Sequence, residues 1–239
     1  MLILACDTSN TTCCAGVYDD GREIAYEVSF EMRTHSETFM PLLHRVMEKA
    51  GIRHSDLDAY AICVGPGSFT GIRIGLSAVK GMSAASGVPC IAVSSTEALA
   101  RSVTNVVHPE ERTILVPAFD ARNKRVFAGV YSNHDYEVRI EEGAYAADDL
   151  ADKIALLPDV MKSKLIVLGS GAEAMKEALS GKLGINADYA AGAMIMPVGI
   201  DAAARAAVEK TRGTAIQDAA AIKASYCAVS SAERYRKPV

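Results

Sequence analysis

The sequence predicts an α/β fold made of two copies of a β-β-β-α-β-α unit. Three observations carry that expectation. Short apolar runs alternate with helical 3–4 spacing along the chain. A glycine-rich turn, Gly65-Pro-Gly-Ser-Phe-Thr-Gly-Ile-Arg-Ile-Gly75, joins an apolar run to a small-residue helix. The same order of elements returns after residue 109. With 239 residues, half of them apolar, the chain can bury one large core or those of two halves of about 110 residues each.

The elements follow in order. Leu2 to Ala5 is a buried strand that ends in the polar turn Asp7-Thr-Ser-Asn-Thr-Thr12. Cys13 to Tyr18 is a second strand, Asp19-Asp-Gly-Arg22 a hairpin turn, and Glu23 to Phe30 an alternating third strand. From His35 to Ala50, Phe39, Leu42, Leu43, Val46 and Met47 recur at helical spacing, and Gly51 closes the helix. Asp56 to Val64 is a strand entering the glycine-rich turn, and Ile72 to Gly87 a helix rich in Gly, Ala and Ser. Pro89 to Val93 is a short strand. Ser95 to Val103 is a helix opened by a Ser-Ser-Thr-Glu capping pattern.

His108-Pro-Glu-Glu-Arg112 is polar and contains proline, which marks a boundary between lobes 1–108 and 109–239. Beyond it, Thr113 to Phe119, Arg125 to Tyr131 and Glu137 to Glu141 are strands. Ala147 to Leu157 is a helix, and Lys164 to Leu168 a strand running into Gly169-Ser-Gly171 and a helix to Leu179. Pro197 to Lys210 and Ile216 to Ala224 read as Ala-rich helices, and Arg234-Tyr-Arg-Lys237 is a basic tail. Two tandem β-β-β-α-β-α halves suggest the actin, sugar-kinase and Hsp70 (ASKHA) architecture, in which two such halves face each other across a nucleotide cleft.

The formal net charge is −4, from 25 basic and 29 acidic residues. That balance argues against a chain whose main task is gripping nucleic acid, which needs clustered Lys and Arg. Six cysteines, at positions 6, 13, 14, 63, 90 and 227, have neither zinc-ligand spacing nor a disulfide framework. They fit a reducing cytoplasm. No signal-peptide pattern opens the chain, and no apolar run approaches the roughly 20 residues of a membrane span.

Several constellations invite a chemical reading, each beside a structural one. Asp7, Thr8 and Ser9 follow the first strand, where an acidic residue and hydroxyls meet phosphate or metal in the actin-like fold; an Asx-type turn would use the same residues. The loop with Gly65, Gly67, Ser68, Thr70 and Gly71 offers backbone N–H groups to a phosphate. It lacks the Walker pattern and serves equally as a tight structural turn. Phe119-Asp-Ala-Arg122 ends the first strand of the second half, either facing the cleft or holding a salt-bridged pair. The five histidines have no metal-ligand spacing. No nucleophile elbow, Ser-His-Asp arrangement or H-E-x-x-H occurs, so no catalytic residue and no metal ligand is assigned.

Together, Asp7-Thr-Ser9, His35-Ser-Glu37, the 65–75 glycine block and Phe119-Asp-Ala-Arg122 resemble the TsaB (YeaZ) family of bacterial partner proteins in tRNA threonylcarbamoyladenosine synthesis. The resemblance is close in the first half and rests on length and Asp120-Ala-Arg122 in the second. It implies a two-lobed actin-like subunit without catalysis of its own. Such a subunit binds and orders the transferase TsaD, acts with the ATPase TsaE, meets tRNA only through the complex and forms a homodimer when alone. TsaD is implied to hold a metal on a His-x-x-x-His pair, and here Ser95 and Leu99 fall at those places. Thr11-Thr-Cys13 stands where TsaD has a catalytic-type Asp-Glu-Thr. The family's helix-bundle interface points to His35, Phe39, Leu42, Leu43 and Val46 on one helix and Arg73, Ser77, Ala78 and Gly81 on the next; some of the Phe39, Leu42, Leu43 and Val46 stripe must pack on its own sheet, and part of it is left for the partner. On that reading, Leu43→Glu or Ala78→Trp abolishes partner binding and leaves the fold intact. ATP or ADP would sit in the cleft or at the TsaD interface. The alternatives are a weak ATPase using Asp7, Ser68 and Thr70, a glycoprotease-type peptidase, and direct tRNA recognition by Arg122, Lys124, Arg125, Arg234, Arg236 and Lys237.

Overall fold

The computed structural model describes residues 1–30, 34–103, 112–180, 182 and 187–227. Its first half runs β1 (Leu2–Asp7), β2 (Cys13–Asp19), β3 (Arg22–Ser29), α1 (His35–Ala50), β4 (Ala59–Gly65), α2 (Phe69–Ser86), β5 (Cys90–Ser94) and α3 (Ser95–Arg101). The second repeats that order: β6 (Thr113–Asp120), β7 (Arg125–Ser132), β8 (Val138–Ala146), α4 (Ala147–Ala155), β9 (Lys164–Leu168), α5 (Ala172–Ser180), β10 (Ala187–Ala190) and α6 (Pro197–Lys210). A short β11 (Ile216–Gln217) comes last.

The two sheets have one plan. The first is ordered β11-β5-β4-β1-β2-β3 and the second β10-β9-β6-β7-β8. In each, an antiparallel meander of three strands continues into parallel strands reached through helices. The duplication is therefore longer than the sequence suggests, because β10 and α6 answer β5 and α3. Strand β10 is four partly exposed residues without an apolar run, so periodicity passes over it. This is the ASKHA arrangement.

Local sequence explains most element ends. Asp20 and Gly21, both with positive φ, make the two-residue hairpin connection between β2 and β3. Gly51 closes α1 in the left-handed region at φ 67°. Helix α2 begins three residues earlier than expected, because the Ser68 hydroxyl caps it by accepting the Gly71 N–H. The expected helix at 216–224 is not formed. Ile216 and Gln217 pair with Ile91 and Cys90 instead, and the Asp218 carboxylate accepts the Ala220 N–H in an Asx turn. Ala219 and Ile222 are buried, so their helical spacing belongs to a strap lying on the first sheet's outer core.

Three apolar cores stack through the molecule. One lies outside the first sheet under α1 and α2, one outside the second sheet under α4 and α5, and one between the sheets. The middle core is built by a reciprocal exchange: α3 packs on β6 and β7, α6 packs on β1, β2, β4 and β5, and the two helices pack on each other. A boundary at 108/109 therefore separates strands β1–β5 from β6–β10, but α6 and β11 return to the first sheet. Of the expected boundary segment, only Arg112 lies within the described residues.

Candidate functional site

The structure brings the first turn and the glycine loop together, and they bind each other. Asp7, Thr8 and Ser9 are each 0% exposed. The Asp7 carboxylate accepts the Ser9 N–H at 2.8 Å through Oδ1, and its buried Oδ2 has no partner. Burial pushes the Asp7 carboxyl above the usual carboxylate range, against the pull of the Ser9 hydrogen bonds. Thr8 Oγ1 donates to the Gly71 carbonyl at 2.7 Å, and the Ser68 N–H donates to the Ser9 carbonyl at 2.7 Å.

The glycines permit this closure. A Cβ at Gly67 would lie 2.3 Å from the Ser9 carbonyl oxygen, at Gly71 2.0 Å from that of Thr8, and at Gly65 2.2 Å from that of Ser225. The close approach that glycine allows is thus made by the chain's own backbone. Asp7, Thr8 and Ser9 are thus buried against the loop, and the Cβ side of Gly65, Gly67 and Gly71 is taken by the chain's own carbonyls. Ser68 and Thr70 are exposed at the loop's outer rim.

The positions expected to have lost a metal are also occupied by packing. The Ser95 hydroxyl donates to Ser9 Oγ at 3.0 Å. Leu99 is 0% exposed, and its Cδ2 would lie 2.8 Å from a Cβ at Gly169. Beside them, Glu142 on β8 reaches the start of α3. It accepts hydrogen bonds from the Ser94 hydroxyl and, at 2.8 Å, from Thr96 Oγ1, which also bonds the Tyr131 hydroxyl. Burial pushes the Tyr131 phenol above its ordinary value.

The interface residues divide. Phe39, Leu42, Leu43 and Val46 are all at most 1% exposed, inside the core under α1. The expectation that part of this stripe is left for a partner is corrected: all four residues face the sheet, because β2 and β3 cover that side of α1. His35, partly buried, donates from Nε2 to the Asn10 carbonyl at 2.5 Å and ties the start of α1 to the first turn. On α2, Arg73, Ser77 and Gly81 are exposed and Ala78 is half-buried. Around Gly81 a Cβ would meet nothing within 4 Å. Between the two helices runs a hollow of about 460 Å³ lined by Met40, Leu43, His44, Met47, Ile52 and Met82, among others.

In the second lobe, Arg122, Asn123 and Lys124 all have positive φ and form an exposed left-handed turn. Asp120 accepts the Arg122 N–H at 2.8 Å, which is a backbone contact and not a side-chain pair. Lys124 is paired with Glu177 at 2.8 Å, which leaves less positive charge on the 122–125 segment. Arg234, Arg236 and Lys237 lie outside the described residues. Ser225 and Tyr226, which contact Gly65 and Arg73, carry no local sequence signal and are legible only in three dimensions.

Comparison with known proteins places this architecture. The family model for the tRNA N6-adenosine threonylcarbamoyltransferase TsaD matches residues 29–235. The Bacillus subtilis tRNA threonylcarbamoyladenosine biosynthesis protein TsaB is 35% identical over 131 residues, covering 55% of this chain and 55% of that protein. The match thus spans about half the length of that curated relative. A Pseudomonas aeruginosa crystal structure, described as similar to the peptidase YeaZ, superposes with a TM-score of 0.79 at 25% identity, over 95% of this chain and 99% of that one. In fold alone, the Lmo2764 protein of Listeria monocytogenes, assigned as an N-acetylmannosamine kinase, aligns with a TM-score of 0.50 at 10% identity, over 88% and 100% of the two chains. The chain belongs to the TsaD family, and within it to the TsaB (YeaZ) proteins.

Proposed function

We propose that this chain is a non-catalytic subunit required for forming N6-threonylcarbamoyladenosine at adenosine 37 of tRNA. It binds and orders TsaD, works with the ATPase TsaE in the cytoplasm, touches tRNA only within that assembly, and pairs with a second copy when TsaD is absent. The observation that carries this reading is the α2 helix. One side is embedded in the core through Ile72, Leu76 and Val79, while Arg73, Ser77 and Gly81 form an exposed four-residue-step face. Small residues at that spacing let a second helix approach closely. Leu99 in the core and the self-bonded Asp7-Thr-Ser9 turn support a docking role over catalysis, since a packed leucine offers a metal no ligand atom and a buried Asp7 has no surface for ATP. A nucleotide would then sit at the TsaD interface, beside exposed Ser68 and Thr70.

The test is threonylcarbamoyladenosine formation on tRNA with TsaD, TsaE and threonylcarbamoyl-adenylate supplied, with and without this chain. Product only when both this chain and TsaD are present is expected. Product from this chain without TsaD overturns the non-catalytic reading.

A further inference from the structure

At the start of α2, Phe69 and Tyr226 are each 43% exposed, with ring centroids 5.0 Å apart. The Arg73 guanidinium carbon lies 3.7 Å from the Phe69 centroid, and Arg73 Nε donates to the Tyr226 hydroxyl at 3.0 Å. Tyr226 arrives on the strap that crosses the glycine loop. That strap is pinned by the Ser225 N–H on the Val64 carbonyl at 2.7 Å and by buried Ile222.

Two exposed rings and an arginine are thus held in a fixed arrangement at the surface. A guanidinium so positioned loses little freedom on binding, and tyrosine and arginine commonly dominate binding energies at protein interfaces. The terminal nitrogens of Arg73 have no partner among the described residues, and α2 contains no Asp or Glu to supply one. The planar fork of an arginine matches a carboxylate through two parallel hydrogen bonds.

We propose that Phe69, Arg73 and Tyr226 anchor the docking face and select its partner, and that Arg73 takes the carboxylate of an Asp or Glu on a helix of the partner protein; this rests on the docking role of α2. A protein helix is favoured over RNA by the remainder of the same face. Ser77, Gly81 and Ala84 are exposed and uncharged, and partly buried Lys80 is the one cation of α2 besides Arg73, whereas a phosphate backbone calls for repeated Lys or Arg.

The affinity of the full chain for TsaD of the same organism, by titration calorimetry, tests the anchor with R73K, R73E, Y226F and G81W. G81W blocks close helix approach and so reports on the docking reading; R73E reports on the anchor. G81W is expected to abolish binding, R73E to weaken it about 100-fold or more, and R73K and Y226F about 10-fold each, because a point charge replaces the fork in one and the fork loses its tether in the other. One Asp→Lys or Glu→Lys change on the partner helix is expected to restore R73E. Wild-type affinity of R73E beside a non-binding G81W overturns the anchor and leaves the docking reading standing. Wild-type affinity of both overturns both. Unchanged TsaD affinity of R73E with weakened tRNA affinity overturns the carboxylate assignment in favour of an RNA phosphate.

Discussion

The Thr8 hydroxyl donates to the carbonyl of Gly71 at 2.7 Å, while the Thr8 carbonyl faces the Gly71 α-carbon so closely that a Cβ there would sit 2.0 Å away. The first turn and the start of α2 are therefore one packed unit. Gly71→Ala must displace backbone on both sides, an overpacking cost of about 3 kcal/mol. Gly81 lies on the same helix with nothing within 4 Å of a Cβ, so Gly81→Ala is expected to stabilise by about 0.5–1 kcal/mol through helix propensity. Urea denaturation of the two variants measures both. A Gly71→Ala protein as stable as the wild type contradicts this packing.

Helix α1 supplies the second prediction. Leu43 is 1% exposed and Met40, on the same helix, 48%. Leu43→Glu buries a charge without a partner and is expected to cost more than about 3 kcal/mol, so that any loss of TsaD binding follows from unfolding. Met40→Glu is expected to leave the melting temperature within about 2 °C while weakening TsaD binding at the edge of the α1–α2 hollow. Melting curves beside a co-purification assay separate the two effects.

These two residues also show how far the sequence could be read. The spacing of Phe39, Leu42, Leu43 and Val46 reports that α1 has an apolar face, and Gly51 reports where the helix stops. The bounds of α1 and α6 are legible for that reason, with Pro197 at the first turn of α6. The same spacing is silent on what covers the face, and here β2 and β3 do. Ala219 and Ile222 illustrate the converse, since a strap can reproduce helical spacing. The glycine loop is legible as a place of close backbone approach. That the approaching backbone is Ser9, Thr8 and Ser225 depends on contacts up to 160 residues apart in sequence, which no local pattern records.

The third prediction concerns pH. Burial raises the Asp7 carboxyl, so the folded state binds its proton more tightly than the unfolded chain does. The sign follows: stability falls as pH rises from the unfolded carboxylate value, about 3.9, through the raised folded value. Asp7→Asn keeps an oxygen for the Ser9 N–H and removes the charge. The variant is expected to melt higher than wild type at pH 7, with the difference vanishing below about pH 4. A melting series from about pH 3.5 to about pH 7.5, spanning that range, checks this, and a variant that melts lower at neutral pH would show that the charged form is stabilised in the fold.

The fourth prediction addresses the contact between the two lobes. Glu142 belongs to the second sheet, whereas Ser94 ends β5 of the first sheet and caps α3, and Thr96 lies in the first turn of that helix. Thr96 also bonds Tyr131, so one carboxylate, two hydroxyls and a phenol form a connected set across the middle core. Arg101 reinforces it further along α3, with its guanidinium carbon 4.0 Å from the Tyr136 ring centroid. Hydrogen bonds to a charged acceptor contribute about 1.5–3 kcal/mol, so Glu142→Ala is expected to destabilise by about 2 kcal/mol. Glu142→Gln should cost less, because its amide oxygen still accepts. Tyr131→Phe should cost least, because Thr96 keeps Glu142. If the set acts as a unit, the Glu142→Ala and Tyr131→Phe effects are non-additive, and amide exchange rises at 94–97 in Glu142→Ala while α1 stays protected. Additive effects with exchange unchanged at 94–97 would mean that the apolar core alone joins the lobes.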